Sequence, residues 1–145
     1  MIASEPITIE TLTTTNEEVV RAVQRLYPQL TSGTVPDAEA VARVVDRGAF
    51  VLLARCDGKI VGMATLVVAA ALSGTTAHIE DVVVDAEYRG RGIGERLMRE
   101  LISRAQAERA NAMALTSHPS REAANRLYER LGFELGGTNY YSLDL

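Results

Sequence analysis

The chain has 145 residues, of which 47% are hydrophobic and 23% are charged, and these values are typical of one globular domain and argue against a disordered chain. Nineteen acidic and fifteen basic residues give a net charge of −4, and without a dense basic run neither nucleic acid nor an anionic membrane is expected as a partner. Because Cys56 is the single cysteine and the two histidines lie far apart, we expect no intrachain disulfide, no metal site and a reducing, cytoplasmic location.

The first half of the chain begins with one strand pattern and two helix patterns. The first ten residues lack a basic region followed by an apolar stretch, so we expect no cleaved signal. Alternation in Ile7–Ile9 predicts a strand, and apolar residues at helical spacing predict a helix from Glu17 to about Leu30. A second helix is predicted to open at Asp37 and to close at Gly48.

Three strands are predicted next. The runs from Phe50 to Arg55 and from Lys59 to about Ala71 are joined by Asp57-Gly58, which is a strong hairpin signal. A second turn at Ser73–Thr75 leads to a third strand at His78–Asp85. The longest apolar run, Ile60–Leu72, is too short for a membrane-spanning helix.

The second half alternates between helices and strands. A long amphipathic helix is predicted from about Gly92 to Ala110, with Asn111 at its end, and a strand at Ala112–Thr116 follows. Ser120 is expected to cap a helix that Gly132 terminates. An alternating final strand is predicted at Thr138–Leu143.

This order of elements predicts one α/β domain that spans residues 1–145. Hairpins in the first half predict antiparallel pairing, and the strand, long helix, strand unit predicts one parallel pair. We therefore expect a central mixed sheet of six to seven strands that is flanked by about four helices. The apolar alternation of Tyr141 and Leu143 at a predicted sheet edge also predicts a homodimer formed through the last strand.

A glycine-rich loop precedes the long helix. Gly90, Gly92 and Gly94 allow backbone N–H groups to converge, and the helix N-terminus adds a partial positive charge. Arg89 and Arg91 supply permanent cations, so the loop predicts a pyrophosphate site. A turn that binds nothing is the alternative. The spacing is neither that of a dinucleotide-binding fingerprint nor that of a P-loop, which disfavours NAD and ATP.

Two stretches resemble motifs of the GCN5-related N-acetyltransferase (GNAT) superfamily. R-x-x-G-x-G at Arg89–Gly94 is similar to its acyl-CoA pyrophosphate motif, and NRLYERLGF at Asn125–Phe133 is similar to a later helical motif. HIEDVVVD, residues 78–85, resembles the corresponding strand of glucosamine-6-phosphate N-acetyltransferases. The resemblance covers Phe50–Phe133 well and the earlier helices by position alone.

The resemblance implies an enzyme that transfers acetyl from acetyl-CoA to an amine of a small molecule or peptide, in a ternary complex and without a metal. In that family the strand that corresponds to 78–85 bulges and splays from its parallel neighbour, and the pantetheine arm of the donor enters the gap. The residues implied in donor binding are Val82, Val83 and Val84 of the strand, Arg89, Gly90, Arg91, Gly92, Ile93 and Gly94 of the loop, and Asn125 of the later helix.

A base is needed because a primary amine with a pKa near ~10 is mostly protonated at neutral pH. Glu80 is the first candidate for this base and Asp81 the second. Because neighbouring side chains of a strand point to opposite sheet faces, only one of the two can face the acceptor unless a bulge intervenes. The structural alternative is that either acid lies at an exposed strand end or pairs with arginine side chains and has no catalytic role.

By the same resemblance, Tyr128 faces the sulfur of the thioester and hydrogen-bonds it as it departs; packing in the core is the alternative for a helical tyrosine. Cys56 is interpreted as a structural thiol. Of the two histidines, His78 is the better candidate for acceptor contact, although a strand-end histidine with no role is the favoured alternative, and His118 is expected at the surface. A non-catalytic acyl-CoA sensor or scaffold remains the alternative function, because it would share the same loop.

Overall fold

A computed structural model describes residues 6–145 of the chain. The chain divides into two compact units, one that ends at Leu115 and one that runs from Thr116 to Leu145. Within the described residues the first unit contains five strands: β1 (Ile7–Thr11), β2 (Phe50–Cys56), β3 (Lys59–Ala71), β4 (Gly74–Val84) and β5 (Ala112–Ala114). The helices are α1 (Glu17–Leu30), α2 (Ala38–Asp46) and α3 (Ile93–Ala107) in the first unit and α4 (Glu122–Arg130) in the second.

The strands form one mixed sheet in the order β1-β2-β3-β4-β5. The first three pairs are antiparallel and the β4–β5 pair is parallel, so the predicted mixed α/β architecture is confirmed. The Asp57-Gly58 hairpin is also confirmed, because both residues have the positive φ that a tight hairpin turn needs, 52° and 74°.

The sheet has five strands among the described residues, where six to seven were predicted. The final strand at 138–143 is the wrong part of the prediction, since no strand follows β5 in the described chain. Tyr141 and Leu143 are more than four-fifths exposed. Alternation predicts a strand only where one face has a surface to bury against, and these side chains have none.

Helix boundaries follow the local caps. Asn16 accepts a hydrogen bond from the Val19 N–H at 3.0 Å at the start of α1, and Asp37 caps α2 as predicted. The predicted cap of α4 is wrong. Ser120 hydrogen-bonds the ring of His118 at 2.7 Å, and Arg121 occupies the N-cap position instead.

The end of α3 also differs from the prediction. The helix stops at Ala107, and the left-handed residue that follows its end is Arg109, so Asn111 does not end the helix as predicted. The Asn111 side chain instead accepts a hydrogen bond from the Thr75 N–H at 2.8 Å. This contact and the Ala71–Gly74 pairing start β4 four residues earlier than predicted, at Gly74 rather than His78.

The core of the first unit lies on both faces of the sheet. On one face, α1 and α2 pack on Val51, Leu53, Met63 and Val83. On the other face α3 packs closely, because the side chain of Leu97 lies 3.2 Å from where a Cβ of Gly62 would be. Among residues 6–145 no helix combines the length and apolar character needed to cross a bilayer.

Candidate active site

A bulge interrupts β4 where the adjacent acids lie. Met63 pairs with Val83, but Thr65 pairs with Glu80, so β4 uses three residue steps where β3 uses two. Asp81 has a φ of 54°, in the left-handed region. The strand therefore carries its extra residue at Asp81 and Val82, and the bulge that the resemblance implied is present.

Beyond this point β4 loses its parallel partner. The β4–β5 pairing runs from Thr76 with Ala112 to His78 with Ala114 and then stops. Within the described chain, β4 continues from Ile79 to Val84 with no strand on that side. The strand therefore presents one side of its backbone to an incoming extended chain over this stretch.

The register places Glu80 on the sheet face that α1 and α2 cover. Met63 and Val83 pair with each other and both belong to the core beneath these helices. Thr65 lies two residues from Met63 and pairs with Glu80, so Glu80 shares their face. Glu80 is nevertheless exposed, which leaves its carboxylate accessible at the rim of the helix-covered face.

The environments of the β4 residues differ. Desolvation raises the pKa of the Asp81 carboxyl above its ordinary value, although the side chain keeps contact with solvent. The Val83 side chain is 4% exposed and packs in the core, so only its main chain is available for donor binding. The Val84 carbonyl already accepts a hydrogen bond from Arg89 Nε at 3.0 Å.

The loop before α3 opens onto free space. Gly90 and Gly92 each have a φ of 78°, and an added Cβ at either position would meet no atom within 4 Å. Gly92 is the N-cap of α3 and no side chain caps the helix there. Gly94 lies in the first turn of α3 after Ile93, within the helix predicted from about Gly92, so Gly90 and Gly92 form the turn itself.

The cations of the loop are partly committed to neighbours. Arg89 is held by the Val84 carbonyl, and the guanidinium of Arg91 lies 5.0 Å from the ring centroid of Tyr88. The Lys59 ammonium lies 5.7 Å from the same centroid. Sequence reasoning missed Lys59, which is 30 residues before the motif and comes near it only through the β3–β4 pairing.

The second unit contains Tyr128 and Asn125 on α4. Tyr128 is 7% exposed, and its ring meets that of Phe133 edge-on at 6.2 Å between centroids. Burial raises the pKa of the Tyr128 phenol, and the neighbouring Arg121 guanidinium partly offsets the rise. The amide nitrogen of Asn125 donates to the His118 carbonyl at 3.1 Å.

Three further polar residues, Cys56, His78 and Arg121, lie in different environments. Cys56 is 2% exposed and lies in β2, consistent with a structural thiol. His78 is exposed on β4. Arg121, at the N-cap position of α4, is partly buried, and its guanidinium lies close enough to the Tyr128 phenol to lower the pKa of that group.

A family model described as the acetyltransferase (GNAT) family matches residues 16–133. The chain is 37% identical over 79 residues to glucosamine 6-phosphate N-acetyltransferase of Trypanosoma brucei brucei, covering 52% of each protein. It is 38% identical over 60 residues to glucosamine 6-phosphate N-acetyltransferase 1 of Oryza sativa subsp. japonica, which covers 41% of this chain and 34% of that protein.

Among solved structures, an acetyltransferase of Trypanosoma brucei matches with a TM-score of 0.78 and 27% identity. That match covers 97% of this chain and all of the other chain. The chain spans about half the length or less of the two curated relatives.

Proposed function

The chain belongs to the acetyltransferase (GNAT) family, and on that premise we propose that it is an N-acetyltransferase. It moves an acetyl group from acetyl-CoA to a primary amine of a small molecule or peptide, by direct attack in a ternary complex. The observation that carries this proposal is the alignment along one strand of three features: the bulge at Asp81, the unpaired edge of β4 and the open, uncapped start of α3.

The donor site that we propose is an extended one. The diphosphate of acetyl-CoA lies before α3, where N–H groups near Gly90 and Gly92 and the cations Arg89 and Arg91 favour it. The pantetheine arm follows β4 and pairs with main-chain groups around Val82. Space at both glycines and a free strand edge are what such a ligand requires, so the residues present fit it.

The reaction forms one C–N bond and breaks one C–S bond, and the nitrogen loses two protons between ammonium and amide. One proton passes to the base before attack, and the other is lost as the amide forms and ends on the departing thiolate, which leaves as free coenzyme A thiol. The bound thioester supplies an activated carbonyl carbon with a thiolate leaving group. Glu80, or Asp81 in second place, removes the ammonium proton directly or through water, so that the amine nitrogen has a free lone pair. N–H groups at the bulge stabilise the negative charge that develops on the carbonyl oxygen.

Tyr128 acts on the departing sulfur in this proposal. Its phenol has a raised pKa and stays neutral at physiological pH, so it keeps the proton it needs to donate a hydrogen bond. Thiols have a pKa near ~8.5, so the phenol stabilises the thiolate by hydrogen bonding more readily than by full proton transfer. Asn125 contributes to the pantetheine site by analogy with the family motif.

Two acceptor classes are favoured by different observations. Both curated relatives named above are named for glucosamine 6-phosphate, which favours an amino sugar phosphate. The net charge of −4 and the adjacent acids Glu80 and Asp81 favour a cationic amine, such as a polyamine, an aminoglycoside or a peptide N-terminus.

The deciding experiment measures free thiol released from acetyl-CoA in the presence of each amine. Thiol release that depends on one amine, with the acetylated amine identified by mass spectrometry, supports the proposal and identifies the acceptor class. Binding of coenzyme A without amine-dependent release from a broad panel would favour a non-catalytic acyl-CoA sensor or scaffold.

The single-domain organisation, the cytoplasmic location and the homodimer are further parts of the proposal. The exposed apolar side chains of Tyr141 and Leu143 support association through the C-terminal segment. Sedimentation that shows only monomer at micromolar protein would remove the homodimer and leave the activity in place.

A further inference from the structure

The segment that joins β4 to the glycine loop is attached to α1. Asp85 is 5% exposed, and its Oδ1 accepts a hydrogen bond from the Glu87 N–H at 3.0 Å. Its Oδ2 lies 3.8 Å from Nε of Arg25. The next residue, Ala86, donates its N–H to Oε1 of Gln29 at 2.8 Å. Two side chains of α1 therefore contact the first two residues after β4.

These two side chains are themselves oriented. The Arg25 guanidinium donates to the Ile60 carbonyl of β3, and the amide nitrogen of Gln29 lies 3.5 Å from the Arg25 carbonyl. Arg25 and Gln29 are four residues apart and so share one face of α1. β3 adds a third attachment, because the Asp85 N–H donates to the Val61 carbonyl at 2.8 Å.

The attached segment leads directly into the loop. Residues Ala86–Tyr88 form a 3₁₀ turn, closed by a hydrogen bond from the Tyr88 N–H to the Asp85 carbonyl at 2.8 Å. Arg89 follows at once, and Gly90 and Gly92 follow it. A loop of this kind binds an anion through backbone N–H groups, and it binds more tightly when these groups already point to one place, because less conformational entropy is lost on binding.

We infer that Gln29 and Arg25 of α1 are positioning residues for the anion-binding loop. They hold the Asp85–Ala86 segment in the conformation that presents the loop to the diphosphate of acetyl-CoA, and they do not touch that ligand. The identity of the ligand rests on the proposed function; the ordering of the loop by α1 does not. The same helix covers the sheet face that carries Glu80, so one element supports the donor loop and the candidate base.

The test compares matched substitutions on one helix. Gln29→Met keeps the length of the side chain and removes the acceptor of the Ala86 N–H, and Gln24→Met makes the same change at an exposed position of α1. Amide hydrogen exchange of residues 86–92 is measured in the ligand-free proteins. Coenzyme A affinity is measured by calorimetry, and KM for acetyl-CoA and kcat are measured with the best amine acceptor.

We expect Gln29→Met to speed exchange in 86–92, to weaken coenzyme A binding about two- to fivefold and to raise KM for acetyl-CoA by the same factor, with kcat unchanged at saturation. Gln24→Met should match the wild type. Arg25→Met should behave like Gln29→Met, and Arg25→Lys, which keeps the positive charge near Asp85, should recover part of the affinity.

Two results would contradict this inference. Exchange in 86–92 that is the same in Gln29→Met and Gln24→Met overturns the ordering of the loop by α1. Faster exchange with unchanged coenzyme A affinity overturns its role in positioning the ligand. Failure of the wild type to bind coenzyme A would instead overturn the proposed donor, while the exchange measurement would still decide whether α1 orders the loop.

Discussion

The phenol of Tyr128 combines burial with a polar neighbour, and this combination leads to the first prediction. Tyr128→Phe keeps the ring and its edge contact with Phe133 and removes the hydroxyl. We expect kcat to fall about tenfold or more, because a hydrogen bond to the departing sulfur matters only as the C–S bond breaks. Coenzyme A affinity, measured by calorimetry, should change less than twofold.

Tyr27→Phe is the matched control, since Tyr27 is a partly buried tyrosine that packs on the core beneath α1. It should leave kcat close to the wild-type value. Equal losses of turnover and of coenzyme A affinity in Tyr128→Phe would instead assign Tyr128 to packing.

The roles of the two adjacent acids of β4 can be distinguished by replacing each carboxylate with the corresponding amide. Glu80 lies on the face beneath α1 and α2, and Asp81 is the bulged residue. We expect Glu80→Gln to lower kcat about 100-fold, because the amide cannot accept the ammonium proton, and Asp81→Asn to lower it less. A larger loss in Asp81→Asn would make Asp81 the base. Initial rates at saturating acetyl-CoA measure both effects.

Asp81→Asn should also stabilise the fold at neutral pH. Desolvation raises the pKa of this carboxyl in the folded state, so the native protein binds the proton more tightly than the unfolded chain. The free energy of unfolding therefore falls as pH rises from about 4 through the folded-state pKa.

Asparagine removes this penalty and tolerates the positive φ of 54°. The gain at pH 7 should be below about 1 kcal/mol, because solvent reaches the side chain, and it should shrink toward pH 3. Urea unfolding at pH 7 and at pH 3 measures the gain in the free energy of unfolding. An equal gain at the two pH values would mean that the substitution acts through backbone conformation and not through the charge of Asp81.

Whole elements were predictable where a local signal and the tertiary structure agree. α1 was predicted from Glu17 to Leu30 and forms over these residues, since its apolar stripe has a sheet face to cover. Ser120 was predicted to cap α4 and does not, because its hydroxyl hydrogen-bonds the His118 ring instead. Competition of this kind between side-chain partners is not visible in residue order.

The start of α3 carries the element-level prediction. Gly92 has a φ of 78°, no side chain caps the helix there, and the space around its Cα is open, so the first N–H groups of α3 depend on the conformation of Gly92 for their orientation. Gly92→Ala places a Cβ in the left-handed region at a cost of about 1–2 kcal/mol. We expect a matching loss of unfolding free energy and, because the loop shifts, coenzyme A binding weakened about tenfold or more.

Gly137→Ala is the control, because an added Cβ there meets nothing within 4 Å and the backbone is not left-handed. It should change neither quantity. If Gly92→Ala loses stability but keeps its affinity for coenzyme A, the loop does not bind the diphosphate.

At the scale of the molecule, the sequence predicted the motifs better than it predicted the tertiary contacts around them. The loop at Arg89–Gly92 was found by glycine spacing, and its place between β4 and α3 is as expected. The segment just before it is contacted by two residues that are distant in the chain: Gln29 accepts a hydrogen bond from the Ala86 N–H, and Lys59 lies over the Tyr88 ring. No periodicity encodes such contacts, since they arise only when β3, β4 and α1 are packed together.

Ligand-linked stability tests the donor proposal on the whole molecule. A ligand that binds only the native state raises the free energy of unfolding by about 2.7 kcal/mol at 100 times its Kd. For a protein of this size each kcal/mol corresponds to roughly 2–4 °C in Tm, so coenzyme A at that concentration should raise Tm by about 5–10 °C.

NAD and ATP at the same concentration should raise Tm much less, because the antiparallel β2–β3 and β3–β4 pairs leave no doubly wound parallel sheet whose switch point could hold a dinucleotide. Differential scanning fluorimetry with the three ligands checks this. A larger shift with NAD or ATP than with coenzyme A would contradict the donor assignment, because all three carry phosphates and only coenzyme A carries a pantetheine arm to pair with the free edge of β4.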